Sequence, residues 1–178
     1  MSLADFMKLL QDQKIKFLVT RDVKYPERKV GENAGIDVYI PSKESFTEEE
    51  LTSIGGLIVD DEIQIEPLCN VRIPVGLYCK FPDNNRALIA HNKSGIAGNK
   101  SLVLGACVID SSYQGEWIVD IHNISNKTQT IKFGQKITQF VETLIGMSEV
   151  DVVTGITPDE FFDTKSERGA GGFGSTGV

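Results

Sequence analysis

The chain has 178 residues, a hydrophobic fraction of 40% and a formal net charge of -7. This length predicts one domain, and the charge argues against general nucleic-acid binding, which requires a basic surface. The apolar runs are too short and too interrupted to span a membrane, and three cysteines without metal-ligand spacing are typical of a reduced, cytoplasmic protein.

Short β-like runs dominate the chain after a predicted N-terminal helix over residues 1–15. Leu3, Phe6 and Leu10 give that helix an apolar face, which we expect to pack on the domain or on a neighbouring chain rather than on a membrane. From Lys16 onward ten runs are rich in Val, Ile and aromatic residues: KFLVT, IDVYI, EIQIEP, VRIPVGLYCKF, RALIAH, SLVLGACVI, EWIVDIHNI, TQTIKF, KITQFVETLI and EVDVV. This pattern predicts an all-β fold, an antiparallel β-sandwich or barrel with short helical additions.

The acidic residues are unevenly distributed along the chain. Residues 44–71 contain eight of them and no Lys or Arg, so the rest of the chain carries a charge of +1. Thr47 and Glu50 have the spacing of a helix capping box. We therefore expect residues 43–65 to form an acidic insertion between two strands, either a solvated loop with a helical turn or an interaction surface for a protein partner. Thr157 and Glu160 predict another helix start.

Two stretches carry polar groups suited to phosphate. In HNKSGIAG, the cation of Lys93, the hydroxyl of Ser94 and the amide of Gly95 could form a small anion site. A turn with a surface lysine would look the same. Gln139 is a polar residue within an apolar strand, so it either faces outward or contacts a ligand.

A carboxylate and an aromatic ring lie close together in IDSSYQGEW. Asp110 ends an apolar run, where it could either cap a turn or deprotonate a water held near a phosphate. Tyr113 follows three residues later, and its ring could pack flat on a sugar. This stretch alone specifies neither role.

The C-terminal stretch 168–178 is rich in glycine, and its composition favours a disordered tail. Arg168 and Phe173 are unusual in such a tail, because a guanidinium, hydroxyls and unhindered amides are the groups that bind a triphosphate. The aromatic ring could stack on a base at the same time. No Lys follows the glycines, so the stretch is not a P-loop.

Taken in order, these stretches resemble the five motifs of trimeric dUTPases: AGIDVYIP (34–41), NKSGIAG (92–98), GACVIDSSYQGE (105–116), FGQKITQF (133–140) and RGAGGFGSTG (168–177). The resemblance covers about residues 16–178. It implies a jelly-roll-like domain over residues 1–167, a flexible flap over 168–178, and a homotrimer with three shared active sites. It further implies hydrolysis of dUTP to dUMP and pyrophosphate, which keeps uracil out of DNA and supplies dUMP for thymidylate synthesis. Mg²⁺ would bind through the triphosphate and water, without direct protein ligands.

The resemblance also implies a role for each matched residue. Asp110 would activate the water that attacks the α-phosphorus in line, Tyr113 would lie against the deoxyribose, and Asp37 would support the site structurally. Backbone groups of a hairpin would read the uracil edge, with an aromatic ring stacked over the base, and these nucleoside-binding residues are Gly105, Ala106, Cys107, Val108, Ile109 and Phe173. The implied phosphate-binding residues are Lys93, Ser94, Gly95, Gln139, Arg168, Gly174, Ser175 and Thr176.

The sequence departs from the family pattern at several positions, and two of these departures leave an alternative function open. Lys93 stands where the family usually has Arg, so bidentate phosphate contact is lost there. Asp120 lies near the position of a water-activating Glu in related dCTP deaminases, so a dCTP deaminase or a bifunctional deaminase-diphosphatase is one alternative. The Asp in place of Glu and the complete tail argue against it. The other alternative is a binding module that acts through the 43–65 insertion, which we expect to project away from the active site.

Overall fold

Twelve β-strands and three short α-helices form the regular structure in the computed structural model, which describes residues 14–29, 33–162 and 164. The strands are β1 (Lys16–Val19), β2 (Gly35–Tyr39), β3 (Leu57–Val59), β4 (Glu62–Ile65), β5 (Asn70–Pro74), β6 (Leu77–Lys80), β7 (Arg86–Asn92), β8 (Leu102–Leu104), β9 (Val108–Asp110), β10 (Ile118–Asn123), β11 (Gln129–Lys132) and β12 (Lys136–Leu144). The helices are α1 (Glu48–Ser53), α2 (Ser94–Lys100) and α3 (Pro158–Phe161), and a 3-10 turn covers Lys43–Ser45. Residues 1–13 of the predicted N-terminal helix lie outside the described residues.

The strands form four small sheets in which the paired strands are antiparallel. Their strand orders are β1-β6, β5-β10-β8, β11-β4-β3 and β2-β12-β7-β9. The prediction of an all-β antiparallel fold with short helical additions is confirmed.

One cluster of buried apolar side chains connects these sheets, because each strand turns alternate residues inward. In β5, Val71 and Ile73 are buried while Arg72 between them is exposed. Trp117 is fully buried, and its ring packs against Phe17 at 5.6 Å and Phe140 at 4.7 Å between centroids. The burial of each such large side chain stabilises the fold by about 1.5–3 kcal/mol relative to exposure.

The acidic stretch 43–65 is built into the fold and is not simply a solvated loop. Helix α1 begins at the predicted capping box, in which Glu50 N donates to Thr47 Oγ1 (3.2 Å) and Thr47 N donates to Glu50 Oε2 (2.8 Å). Strand β3, which the sequence analysis missed, then pairs with β4, and β4 pairs with β11. Phe46 and Ile54 are buried in the core, so the segment is anchored on both sides of α1.

Three predicted strands differ in the structure. The run 71–81 divides into β5 and β6 near Gly76, whose φ of +69° interrupts an extended chain. The run 101–109 divides into β8 and β9, which belong to different sheets. The prediction of a strand over 149–153 is wrong: Val150 and Val152 are 89% and 75% exposed, so this run has no buried face within the described chain.

The chain divides into two compact units, residues 1–146 and residues 147–178. The first unit contains the twelve strands. In the second, α3 begins at the predicted capping box, where Thr157 N donates to Glu160 Oε2 (2.7 Å) and Glu160 N to Thr157 Oγ1 (3.3 Å). The described part of the chain has no helix that is both long and apolar enough to cross a membrane. The predicted boundary at residue 168 lies outside the described residues.

Candidate active site

The sheet β2-β12-β7-β9 positions the residues predicted to bind phosphate. Gln139 of β12 lies opposite Asp37 of β2, with β7 on its other side. Lys93 follows the end of β7 and precedes α2, and Ser94 and Gly95 form the exposed beginning of that helix. A Cβ added at Gly95 would have no atom within 4 Å, so a ligand can approach its backbone freely.

Asp37 is buried between two lysines. Its Oδ1 accepts a hydrogen bond from Lys93 Nζ (2.7 Å), and its Oδ2 accepts one from Lys136 Nζ (2.8 Å). Burial raises the pKa of the Asp37 carboxyl, but the bonds from the two ammonium groups outweigh burial and hold this pKa below its usual range. Asp37 therefore remains ionised and fixes Lys93 where β7 meets α2.

Gly35, in the motif AGIDVYIP, leaves room for the side chain of Gln139. A Cβ added at Gly35 would lie 2.5 Å from Gln139 Oε1 and 2.9 Å from its Cβ. Any side chain at position 35 would therefore displace Gln139. Gly35 is not among the predicted site residues, although its place two residues before Asp37 in AGIDVYIP was the available signal.

Asp110 is the last residue of β9, and Tyr113 lies in the loop that follows it. Asp110 is exposed at the strand end, opposite Ala87 of β7, and its carbonyl accepts a bond from Tyr113 N (3.1 Å). The Tyr113 hydroxyl donates to Glu116 O (2.9 Å). A Cβ at Gly115 would lie 2.4 Å from that hydroxyl, so the ring lies against the Gly115 backbone. With 41% of Tyr113 exposed, its ring remains accessible to a ligand.

The segment predicted to read the base is a connection between two sheets and not a hairpin of paired strands. Its two ends are held by different neighbours, because Gly105 N donates to Asp120 O (3.0 Å) and Ala90 N donates to Cys107 O (2.7 Å). The side chain of Ile109 is buried in the core, so only its backbone could face a ligand. The exposed residues of this segment are Gly105, Ala106 and Val108.

A polar cluster that the sequence analysis largely missed lies under Gly105. Asp120 Oδ1 accepts from Asn70 Nδ2 (2.8 Å), and Asp120 Oδ2 lies 3.1 Å from His122 Nε2. A Cβ at Gly105 would lie 2.4 Å from both of the latter atoms. The sequence did contain a signal for this cluster, because Asp120 and His122 are two residues apart and therefore lie on the same face of β10.

A single chain keeps the two groups of predicted site residues apart. Asp110 lies opposite Ala87, whereas Lys93 follows β7 six residues further on, a distance of about 20 Å along a strand. The cavity beside Asp22 and Lys43 has none of the predicted site residues in its lining. Five further predicted residues lie outside the described residues: Arg168, Phe173, Gly174, Ser175 and Thr176.

The antiparallel β fold places an exposed carboxylate, Asp110, at the end of β9, and the lysines paired with Asp37 at another part of the same sheet. Carboxylates that activate water and cations that bind phosphate are the groups that a phosphohydrolase uses. The sequence profile of the dUTPase family matches residues 52–177. The deoxyuridine 5'-triphosphate nucleotidohydrolase of Acinetobacter baylyi is 37% identical over 121 residues, which are 67% of this chain and 76% of that protein. The enzyme of the same name from Salmonella paratyphi A is 31% identical over 158 residues, 88% of this chain and 96% of that one. The chain belongs to the dUTPase family, and dUTP hydrolysis is its activity.

The solved structures give the same fold. A mutant dUTPase of Staphylococcus bacteriophage 80alpha, solved with dUpNHpp, superposes with a TM-score of 0.69 at 20% identity. The match covers 93% of this chain and 99% of that chain. The predicted jelly-roll-like fold is confirmed.

Proposed function

We propose that this chain converts dUTP to dUMP and pyrophosphate by in-line attack of a water that Asp110 activates on the α-phosphorus. The observation that carries this proposal is the exposed carboxylate at the end of β9, beside the ordered loop of Tyr113. A carboxylate in this place can orient a water and accept its proton. The Tyr113 ring lies along the deoxyribose and leaves no room for a 2′-hydroxyl.

The active site is assembled from different chains of a homotrimer. Asp110 must reach the same triphosphate that Lys93, Ser94 and Gln139 bind, because activation of the water requires contact within hydrogen-bond distance. The strand register puts about 20 Å of β7 between these groups in one chain. A neighbouring chain can supply the missing group, so this separation supports a site shared between chains of the homotrimer.

Uracil is read by the backbone of residues 105–108. Uracil presents an acceptor where cytosine presents an amino donor, so fixed backbone groups leave the wrong base with an unpaired polar atom. Asp120 is 14% exposed in its side chain, both of its oxygens have partners, and Gly105 packs over it. This arrangement favours dUTP hydrolysis over dCTP deamination, since the carboxylate is not presented to a base.

Charge on the triphosphate is neutralised by the chain and by Mg²⁺. The described residues contain no cluster of three acidic, His or Cys side chains that could hold a metal. Mg²⁺ supplies charge neutralisation at the phosphates. Asp37 already pairs with Lys93, so the hydroxyl of Ser94 and the amide of Gly95 make a larger share of the phosphate contacts.

We place the enzyme in the cytoplasm, or in the host cytoplasm if it is viral. The three cysteines, Cys69, Cys79 and Cys107, are unpaired, as is usual in a reducing compartment. Burial raises the pKa of the Cys79 thiol to about 11, so this group stays protonated and unreactive. In that compartment the reaction keeps uracil out of DNA and supplies dUMP for thymidylate synthesis.

The test is a product assay with dUTP and dCTP, combined with the Asp110→Asn variant. We expect pyrophosphate from dUTP, no ammonia from dCTP, and a loss of turnover on the order of 10³-fold or more in Asp110→Asn, with binding of a nonhydrolysable dUTP analogue retained. Asp151→Asn, a change of the same kind at an exposed position, is the control. Near-normal turnover in Asp110→Asn would remove Asp110 as the base, and ammonia from dCTP would contradict the substrate assignment.

A further inference from the structure

The side chain of Arg21 joins two carboxylates that lie far apart in the sequence. Its Nε and Nη2 donate to Glu116 Oε1 (2.7 Å) and Oε2 (3.1 Å). Its Nη2 and Nη1 donate to Glu50 Oε1 (2.7 Å) and Oε2 (3.2 Å), and Nη1 also donates to Ser45 O (2.9 Å). These bonds use all five N–H groups of the guanidinium, which also lies 4.8 Å above the ring of Phe46. With 11% of its side chain exposed, Arg21 is a largely buried connector.

On one side, this connector holds the end of the loop that begins at Asp110. Glu116 Oε1 accepts a second bond from Gly76 N (2.7 Å), so the carboxylate is fixed from two directions. The carbonyl of Glu116 accepts the hydroxyl of Tyr113, and Trp117 next to it is buried. The position of Glu116 therefore sets the position of the Tyr113 ring.

On the other side, the connector is attached to helix α1 in the acidic stretch. Glu50 Oε2 accepts from Thr47 N within the capping box, so the same carboxylate begins the helix and binds Arg21. Ile54, at the end of α1, is buried in the core. Helix α1 is thus anchored both to the core and to Arg21. The expectation that residues 43–65 project away from the active site does not hold for Glu50, which Arg21 joins to Glu116 in the loop that follows Asp110.

We propose that Arg21 is a positioning residue for dUTP hydrolysis: by tying Glu116 to Glu50, it fixes the ring of Tyr113 against which the deoxyribose packs. This inference rests on the proposed role of Tyr113. A lysine cannot replace Arg21, because a single ammonium cannot form bidentate bonds with two carboxylates. A displacement of the ring by about 1 Å is enough to cost on the order of 10²-fold in rate, and it would also make room for a 2′-hydroxyl.

The test compares kcat and KM for dUTP and UTP in Arg21→Met, Arg21→Lys and Glu50→Gln. We expect Arg21→Met to lower the ratio of kcat/KM for dUTP over UTP about tenfold, with a smaller decrease in the other two variants. Glu49→Gln is the matched control, since it makes the same change of charge at an exposed position on the same helix. Its ratio should equal that of the wild type.

A purely stabilising role for Arg21 predicts a different result. Ile63→Val, a change in the buried part of β4, should lower the Tm and leave the dUTP to UTP ratio unchanged. If Arg21→Met and Glu50→Gln behave in the same way, the proposal is overturned. If Arg21→Met does not fold, Arg21→Lys and Glu50→Gln decide the question. A wild-type chain that releases no pyrophosphate from dUTP would refute the proposed function itself, which is a separate outcome.

Discussion

Replacement of Gly105 by Ala tests whether the position of residues 105–108 controls recognition of the base. The added Cβ would lie 2.4 Å from Asp120 Oδ2, 2.4 Å from His122 Nε2 and 2.9 Å from His122 Cδ2. Asp120 cannot move away freely, because Asn70 holds its other oxygen. To regain an ordinary contact of about 3.4 Å, the segment must shift by about 1 Å, and such a misplacement costs on the order of 10²-fold in kcat/KM.

The assay measures kcat/KM for dUTP and the Tm of Gly105→Ala beside a matched control. Gly98→Ala is that control, since a Cβ at this position in α2 meets no atom within 4 Å. We expect kcat/KM to fall about 10²-fold in Gly105→Ala. Overpacking should also lower the unfolding free energy of this variant by about 1–3 kcal/mol. Gly98→Ala should lose neither activity nor stability. Wild-type kcat/KM in Gly105→Ala would refute the idea that this segment must be held in one place to read uracil.

Two further predictions concern pH and the C-terminal stretch. Hydrogen bonds from Arg21 and Thr47 lower the pKa of Glu50 from 4.5 to about 2, so its stabilising contribution is complete above about pH 4.5 and is lost as the pH falls toward 2. Solvent screening reduces this contribution, because 35% of the Glu50 side chain is exposed. Between pH 7 and pH 3 the wild type should therefore lose about 1 kcal/mol more unfolding free energy than Glu50→Gln. Equal losses in the two proteins would contradict the pairing of Glu50 with Arg21. Removal of residues 168–178 should leave the oligomer intact and lower kcat/KM for dUTP about tenfold or more, and an unchanged rate would show that these residues are dispensable.

The sequence predicted the features that depend on neighbouring residues. Both capping boxes, at Thr47 and at Thr157, form where they were predicted, because their partners lie within one helical turn. Most β runs became strands, since alternation of apolar residues is a local signal. The order of the motifs led to the correct family.

Features that depend on distant partners were not predictable. The run 149–153 has strand composition, yet a strand forms only when another strand supplies its hydrogen bonds. Nothing near Arg21 in the sequence indicates Glu50 or Glu116, which lie 29 and 95 residues away. The Asp120 and His122 cluster under Gly105 likewise depends on how β8 pairs with β10.

The central claim is that each active site combines Asp110 of one chain with the phosphate-binding residues of another. It is tested most directly by mixing two inactive variants, Asp110→Asn and the double variant Ser94→Ala/Gln139→Ala, unfolding them together and refolding them. In randomly mixed trimers, about a quarter of the sites join an intact half from each parent, so about a quarter of wild-type dUTP hydrolysis should return. If the mixture stays at the activity of its parents although mixed trimers form, both halves belong to one chain and the account is wrong.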